Sequence, residues 1–263
     1  MSTTYVVRDS MTMLRRNLRH LSRYPSLALM LIAIPIGSLL LFVYVFGGTL
    51  GAGLPVDGGG SRADYLNYLV PGIWIMTVSS VANGTAVAVA IDQTGGMFAR
   101  FRTMDIARVS VLTGHVLGAV IRTVLALTVM IAFAVLLGFR SDAGVAGWLG
   151  AAGLALLLAF SFTWLTVAMG LAAGSIETAS NTPLVLMVLP IVSSGFVPTE
   201  QMPAGLRHFA EYQPFTPIIE TLRALTSGAP VGSDGWPAIG WCVAIGVAGY
   251  LWSRHEFAKV PTR

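Results

Sequence analysis

The amino-acid sequence predicts an all-α integral membrane protein: six transmembrane helices, an N-terminal amphipathic interfacial helix and a re-entrant half-helix pair before the last span. Three observations predict it. Only 11% of the 263 residues are charged, against about 25% in an ordinary soluble domain. Hydrophobic residues make up 55% of the chain, and the mean hydropathy is +0.74. Apolar runs recur six times, most of them reaching the roughly 20 residues that a hydrocarbon layer of about 30 Å requires. A soluble chain of this length would bury a large core, yet it would still need a charged surface, and these charges are too few to make one.

Residues 1–25 form the first unit. From Asp9 to Tyr24 the helical pattern is two-faced, with Met11, Leu14, Leu18 and Leu21 on one side and Arg15, Arg16, Arg19 and Arg23 on the other. Such a helix lies in the interface, leucines in the acyl boundary and arginines at lipid phosphates. The apolar run after Pro25 is too long for a signal-peptide core and has no small-residue cleavage site after it, so it is expected to remain as a span.

Residues 26–252 hold the six spans, at about 26–46, 68–91, 112–138, 148–172, 176–194 and 236–252, and residues 253–263 form a tail. Eleven of the sixteen Lys and Arg lie in the N-terminal segment, the 92–111 loop and the tail; Arg62, Arg140, Arg207 and Arg223 lie on the other side. The positive-inside rule therefore puts both termini in the cytoplasm of a multi-pass protein. The glycine-rich stretch 47–64 reads as a flexible external linker. Tyr68, Trp74, Trp148, Trp236 and Trp252, near span ends, fit an interfacial aromatic belt.

The most informative stretch is 189–225, LPIVSSGFVPTEQMPAGLRHFAEYQPFTPIIETLRAL. It starts as membrane helix and breaks at Gly195 and Pro198, with further punctuation at Pro203, Pro214 and Pro217. Met202, Leu206 and Phe209, then Ile218, Leu222 and Leu225, each form one apolar helical face. Irregular backbone at membrane depth is tolerated only where protein or a water-filled cavity satisfies its polar groups. The expectation is two half-helices packed on their own bundle in the external segment 195–235, with Glu200, Glu211 and Glu220 available to Arg207 and Arg223.

Catalytic and metal chemistry have no visible seat. His20, His115, His208 and His255 are scattered, without metal-ligand spacing or an H-E-x-x-H, and no serine sits in G-x-S-x-G. Lys259 is the single lysine and follows Ala258, so the chain has no G-x-x-x-x-G-K-[ST] phosphate loop. Cys242 stands alone in an apolar run and reads as a small core residue. Arg122 is the one ionisable residue deep in a span, about 15 Å in from Leu112; a guanidinium snorkelling or bonded to backbone carbonyls is favoured over a substrate or gating site.

The 92–111 loop is a different matter. It sets Phe98, Phe101, Met104 and Ile106 among Arg100, Arg102 and Arg108, with Asp105 between them. Solubility does not need that mixture, whereas aromatic, Met and Arg residues are those enriched at protein interfaces.

Together, SGFVPTEQMP, EYQPFTP with Arg223 beyond it, and DQTGGMFARFRTMDIARVSVLTGHVL from Asp92 to Leu117 resemble the type-2 ABC transporter permeases, in particular the daunorubicin/doxorubicin-resistance branch of bacterial drug exporters. The resemblance extends over nearly the whole chain. It implies a permease subunit in the bacterial plasma membrane that is not itself an enzyme and binds no cofactor, with ATP and Mg on a separate cytoplasmic ATPase present in two copies. A second permease copy or a paralogue, membrane lipid and an amphiphilic substrate are the other implied partners; nucleic acid is not. By position, RFRTMDIAR from Arg100 to Arg108 would be the coupling helix, and the re-entrant segment would close the outer end of a pathway. Phe42, Trp74, Met76, Asn83 and Met187 are candidate lining residues. Two positions depart from the family pattern, Asp105 where Pro is common and His115 where Arg is common. A polysaccharide or glycolipid exporter of the same superfamily and a non-transporting membrane anchor or sensor are the competing readings.

Overall fold

The computed structural model describes residues 25–54, 60–96 and 108–259, and these are helical almost throughout. In chain order the helices are α1 (Pro25–Leu40), α2 (Gly47–Ala52), α3 (Arg62–Thr94), α4 (Arg108–Leu136), α5 (Val145–Ala172), α6 (Ile176–Asn181), α7 (Val185–Val188), α8 (Ala204–Tyr212), α9 (Phe215–Ser227) and α10 (Gly235–Lys259). Among the described residues, five helical stretches are long and apolar enough to cross a membrane: Ala33–Ala52, α3, Leu112–Leu136 in α4, α5 and α10. The interfacial helix with Arg15, Arg16, Arg19 and Arg23, and the loop residues Phe98, Arg100, Phe101, Arg102, Met104, Asp105 and Ile106, lie outside the described residues.

Two helices form the centre. The most apolar 18-residue windows of α3 and α5 are 78% and 72% buried, while the other three stretches reach only 22–33%. The two centres pack on each other, α4 and α1 cover α3, and α10 lies along α5. The α10 seam is narrow and made of small residues: Ala238, Cys242, Gly246, Gly249 and Ser253 are buried at spacings of three and four, with Phe257 closing the row. Small side chains let two backbones approach within a bilayer, where apolar contact alone gives no preference for protein over lipid. A Cβ on Gly249 would stand 2.5 Å from the Leu165 amide nitrogen. Cys242 is buried in this seam, as its reading as a core residue requires.

Three expectations change. The stretch 47–64 is not simply a flexible linker, because a π-helical turn over Leu41–Phe46 carries the first helix on into α2. The fifth apolar run is not one helix. Its 17 residues, Ile176–Val192, are α6 and α7 with a 3₁₀ turn between them at Thr182–Leu184 and another after α7 at Leu189–Val192, because Pro183 and Pro190 each remove an amide donor. The last helix is longer than expected and reaches Lys259.

Four buried threonine hydroxyls are satisfied within their own helices. Thr77, Thr163, Thr221 and Thr226 each donate to the carbonyl four residues back, which lets polar side chains sit in an apolar core.

The α5–α10 seam yields a paired test. Gly249→Ala should lower stability by about 1–3 kcal/mol through overpacking. Gly240→Ala, on the same helix with nothing near its Cβ position, should be neutral or stabilising by up to about 1 kcal/mol. Thermal unfolding in detergent reads both, and equal behaviour of the two variants would contradict this packing.

Candidate functional site: the broken-helix junction

The chain leaves helical geometry after Val192 and regains it only at Thr199, and this break is buried. Ser193, Ser194 and Phe196 are at most 2% exposed. The junction sits against the first half of α3 and against α9. At the tightest contact two backbones touch, since a Cβ on Gly72 would lie 2.7 Å from the Gly195 carbonyl oxygen. Gly195 was expected as a breaking point; its partner Gly72 was not.

The peptide groups at the break are held by side chains. Ser193 Oγ donates to the Pro190 carbonyl at 2.5 Å, Gln213 Nε2 to the Val192 carbonyl at 2.6 Å, Tyr68 Oη to the Ser194 carbonyl at 2.6 Å, and Tyr65 Oη to the Phe196 carbonyl at 3.2 Å. On the amide side, Ser194 N–H donates to Thr216 Oγ1 and Gly195 N–H to Ser193 Oγ.

Arg223 is the hub. From α9 its guanidinium donates to the Ser194 carbonyl at 2.8 Å and to the Tyr68 carbonyl at 3.3 and 3.4 Å, lies 3.7 Å from the centre of the Tyr68 ring, and binds Glu220 at 2.5 Å. A planar fork of five donors suits this task, and a lysine could not reproduce it.

The prolines mark the pieces that follow. Pro198 precedes the 3₁₀ turn Thr199–Gln201, Pro203 and Pro214 precede α8 and α9, and Pro217 is buried in the first turn of α9. The two half-helices differ. α9 is embedded between α3, α5 and α10 with Ile218 and Leu222 buried, so its apolar face packs on the bundle as expected. α8 does not: Leu206, Phe209 and Tyr212 are exposed, and only Ala210 is buried. Of the expected ion pairs, Arg207 binds Glu211 and Arg223 binds Glu220.

The lining candidates separate. Trp74 and Met76 are buried inside the bundle, Trp74 against Trp148. Phe42 packs on Phe196 with ring centres 4.6 Å apart, at the junction. Asn83 Nδ2 lies 4.0 Å from Met187 Sδ, and both are half-buried. Tyr68, read as a belt residue, is instead part of the junction. Its role and that of Tyr65 were missed, although two tyrosines three residues apart opposite an arginine in an apolar half-helix were a usable signal.

The opposite end of α3 carries a second polar contact. His115 Nε2 on α4 lies 3.1 Å from Asp92 Oδ2, beside the ends of the 97–107 loop, with both side chains largely buried.

With this geometry in place the comparisons decide the family. A family model described as "ABC-2 type transporter" matches residues 9–226. The chain belongs to the ABC-2 type transporter family. Over 223 residues, 84% of this chain and 76% of the relative, it is 30% identical to the daunorubicin resistance ABC transporter permease protein DrrB1 of Streptomyces coeruleorubidus. Over 167 residues, 63% of this chain and 59% of the relative, it is 26% identical to the probable doxorubicin resistance ABC transporter permease protein DrrC of Mycobacterium tuberculosis. The chain is thus a multi-pass permease subunit of an ABC exporter. The broken-helix junction lies inside the matched region, and all of α10 lies beyond it.

The junction is testable by removing its donors. Arg223→Gln removes charge-assisted donors from the Ser194 and Tyr68 carbonyls and the partner of Glu220, and should cost about 1.5–3 kcal/mol, while Tyr68→Phe should cost about 1 kcal/mol. Both follow from unfolding of the purified permease, and a Gln variant as stable as the parent would show that Arg223 does not hold the break.

Proposed function

We propose that this permease moves amphiphilic, drug-like or lipid-like molecules out of a bacterial cell, driven by a separate ATPase. The observation that carries this reading is the similarity to a daunorubicin resistance permease over 84% of the chain. Two permease copies, or this chain and a paralogue, pair with two ATPase copies that hold ATP and Mg. Both termini face the cytoplasm, in keeping with the arginine distribution.

In this reading, RFRTMDIAR from Arg100 to Arg108 docks in the ATPase, with Phe98, Phe101, Met104 and Ile106 as apolar anchors among the arginines. The junction at Gly195 and Pro198, with the elements opened by Pro203, Pro214 and Pro217, closes the outer end of the pathway. Its tied backbone supports that role, because a rigid plug that holds irregular backbone without water suits a seal. Asn83 and Met187, which share one half-buried contact, and Phe42 beside the junction are the better-supported lining candidates.

Phe101→Asp or Met104→Asp should abolish ATP-dependent efflux from vesicles and co-purification with the ATPase, while the permease still inserts. Efflux and co-purification that both survive would overturn the docking assignment. For the gate, single cysteines placed from 203 to 225 in a Cys242→Ala background should react quickly with a membrane-impermeant reagent on the exposed face of α8 and slowly on α9. Uniform rapid labelling would exclude a re-entrant α9.

A further inference from the structure

Arg122 is unlike the other membrane-embedded cations of this chain. It lies near the middle of α4, half-buried, and its Nη2 donates to Thr85 Oγ1 on α3 at 3.1 Å. The expectation of snorkelling or bonding to backbone carbonyls is not met; the partner is a side-chain hydroxyl. Thr85 is itself committed, because its hydroxyl donates to the Val81 carbonyl at 3.1 Å, so it can only accept from the guanidinium. No carboxylate among the described residues pairs with Arg122.

The seam between α3 and α4 shows what is missing. His115 and Arg122 are seven residues apart on α4, and Asp92 and Thr85 are seven apart on α3. The two antiparallel helices therefore carry two matched polar rungs about 10 Å apart. The rung nearer the 97–107 loop has a carboxylate, Asp92, opposite its basic residue. The deeper rung has a neutral hydroxyl. A guanidinium keeps its charge in proteins and has five donors to place, and an intramembrane charge without a counter-ion is costly wherever it sits. Arg122 keeps part of its surface exposed, and Leu125 and Val129, three and seven residues further along the same face of α4, are exposed.

We propose that Arg122, with Thr85, is an intramembrane anion site that takes the phosphate or carboxylate of an acidic amphiphile. The donor is a fork matched to such oxygens, and the exposed side chains Leu125 and Val129 on the same face of α4 suit an acyl or aromatic body. The ligand is either a membrane lipid or the transported molecule. The second identity rests on the export reading above; the anion site itself does not. A cationic amphiphile is disfavoured here, since it would meet an unneutralised guanidinium.

The test uses the full-length permease in vesicles and compares binding of spin-labelled phosphatidylglycerol with spin-labelled phosphatidylcholine. The parent carries Arg15→Gln, Arg16→Gln, Arg19→Gln and Arg23→Gln, so that the N-terminal arginines do not report. The parent should favour the anionic probe about tenfold, the ratio contributed by one charge-assisted hydrogen bond. Arg122→Gln should bring the ratio to parity, and Arg122→Lys should retain most of it. Thr85→Val, which leaves the charge in place but removes its support, should lower the ratio in part and covers the case of a Gln variant that fails to fold. An unchanged ratio in both Arg122→Gln and Thr85→Val overturns the site.

Stimulation of ATPase turnover in the assembled complex by lysophosphatidic acid against lysophosphatidylcholine then separates the sources. Loss of the acidic preference in Arg122→Gln assigns the site to substrate, and an unaltered preference assigns it to lipid. Absence of stimulation by either probe in the parent would count against the export reading while leaving the lipid-binding result intact.

Discussion

A backbone that leaves its helix within a hydrocarbon layer must find partners among side chains, because no water is there to supply them. Arg223 meets the largest share of that demand. Its fork holds the Ser194 carbonyl and the Tyr68 carbonyl at once and stacks on the Tyr68 ring. Without it, the Ser194 carbonyl would keep only the Tyr68 hydroxyl and lose a charge-assisted bond worth about 1.5–3 kcal/mol. The close approach of Gly72 and Gly195, the placement of α9 between α3, α5 and α10, and the exposure of α8 on the other side of Pro214 all follow from that anchored break.

The same helix serves both ends of the bundle. α3 is 33 residues long, about 50 Å at 1.5 Å per residue. Its first turns carry Tyr65, Tyr68 and Gly72 at the junction, its middle carries Thr85 opposite Arg122, and its last turns carry Asp92 opposite His115. Polar contacts between helices are few in a bundle this apolar, and this helix carries several of them. The docking loop proposed for the ATPase starts where α3 ends, so the loop and the junction are joined by a single continuous element with no flexible segment between Arg62 and Thr94.

Much of the junction was legible in advance. Pro198, Pro203 and Pro214 each stand immediately before a helical segment, Gly195 lies within the break, and Pro217 lies in the first turn of α9. Proline and glycine act locally, through a missing amide hydrogen or a missing Cβ, so their effect can be read from the chain alone. The partners of the broken backbone were not legible, since Tyr65, Tyr68 and Gly72 lie more than 120 residues before the carbonyls they meet. The mixed character of the lining candidates has the same origin: hydropathy cannot distinguish a buried Trp74 from a lipid-facing Trp236, and only packing separates them.

By itself, then, the amino-acid sequence determined the all-α membrane class, several of the positions where helices break and the absence of a G-x-x-x-x-G-K-[ST] motif. These depend on composition, on periodicity along one helix and on residues with strong local conformational preferences. The tertiary structure decided which helices are central, that α9 is embedded while α8 is exposed, and which cations have acidic partners. Arg223 and Arg122 make the point. Each is an arginine in an apolar helix, yet one finds Glu220 and two carbonyls while the other finds a lone threonine hydroxyl. That difference arises because hydrogen bonding and charge pairing act over a few ångströms in space, between residues that the chain alone does not bring together.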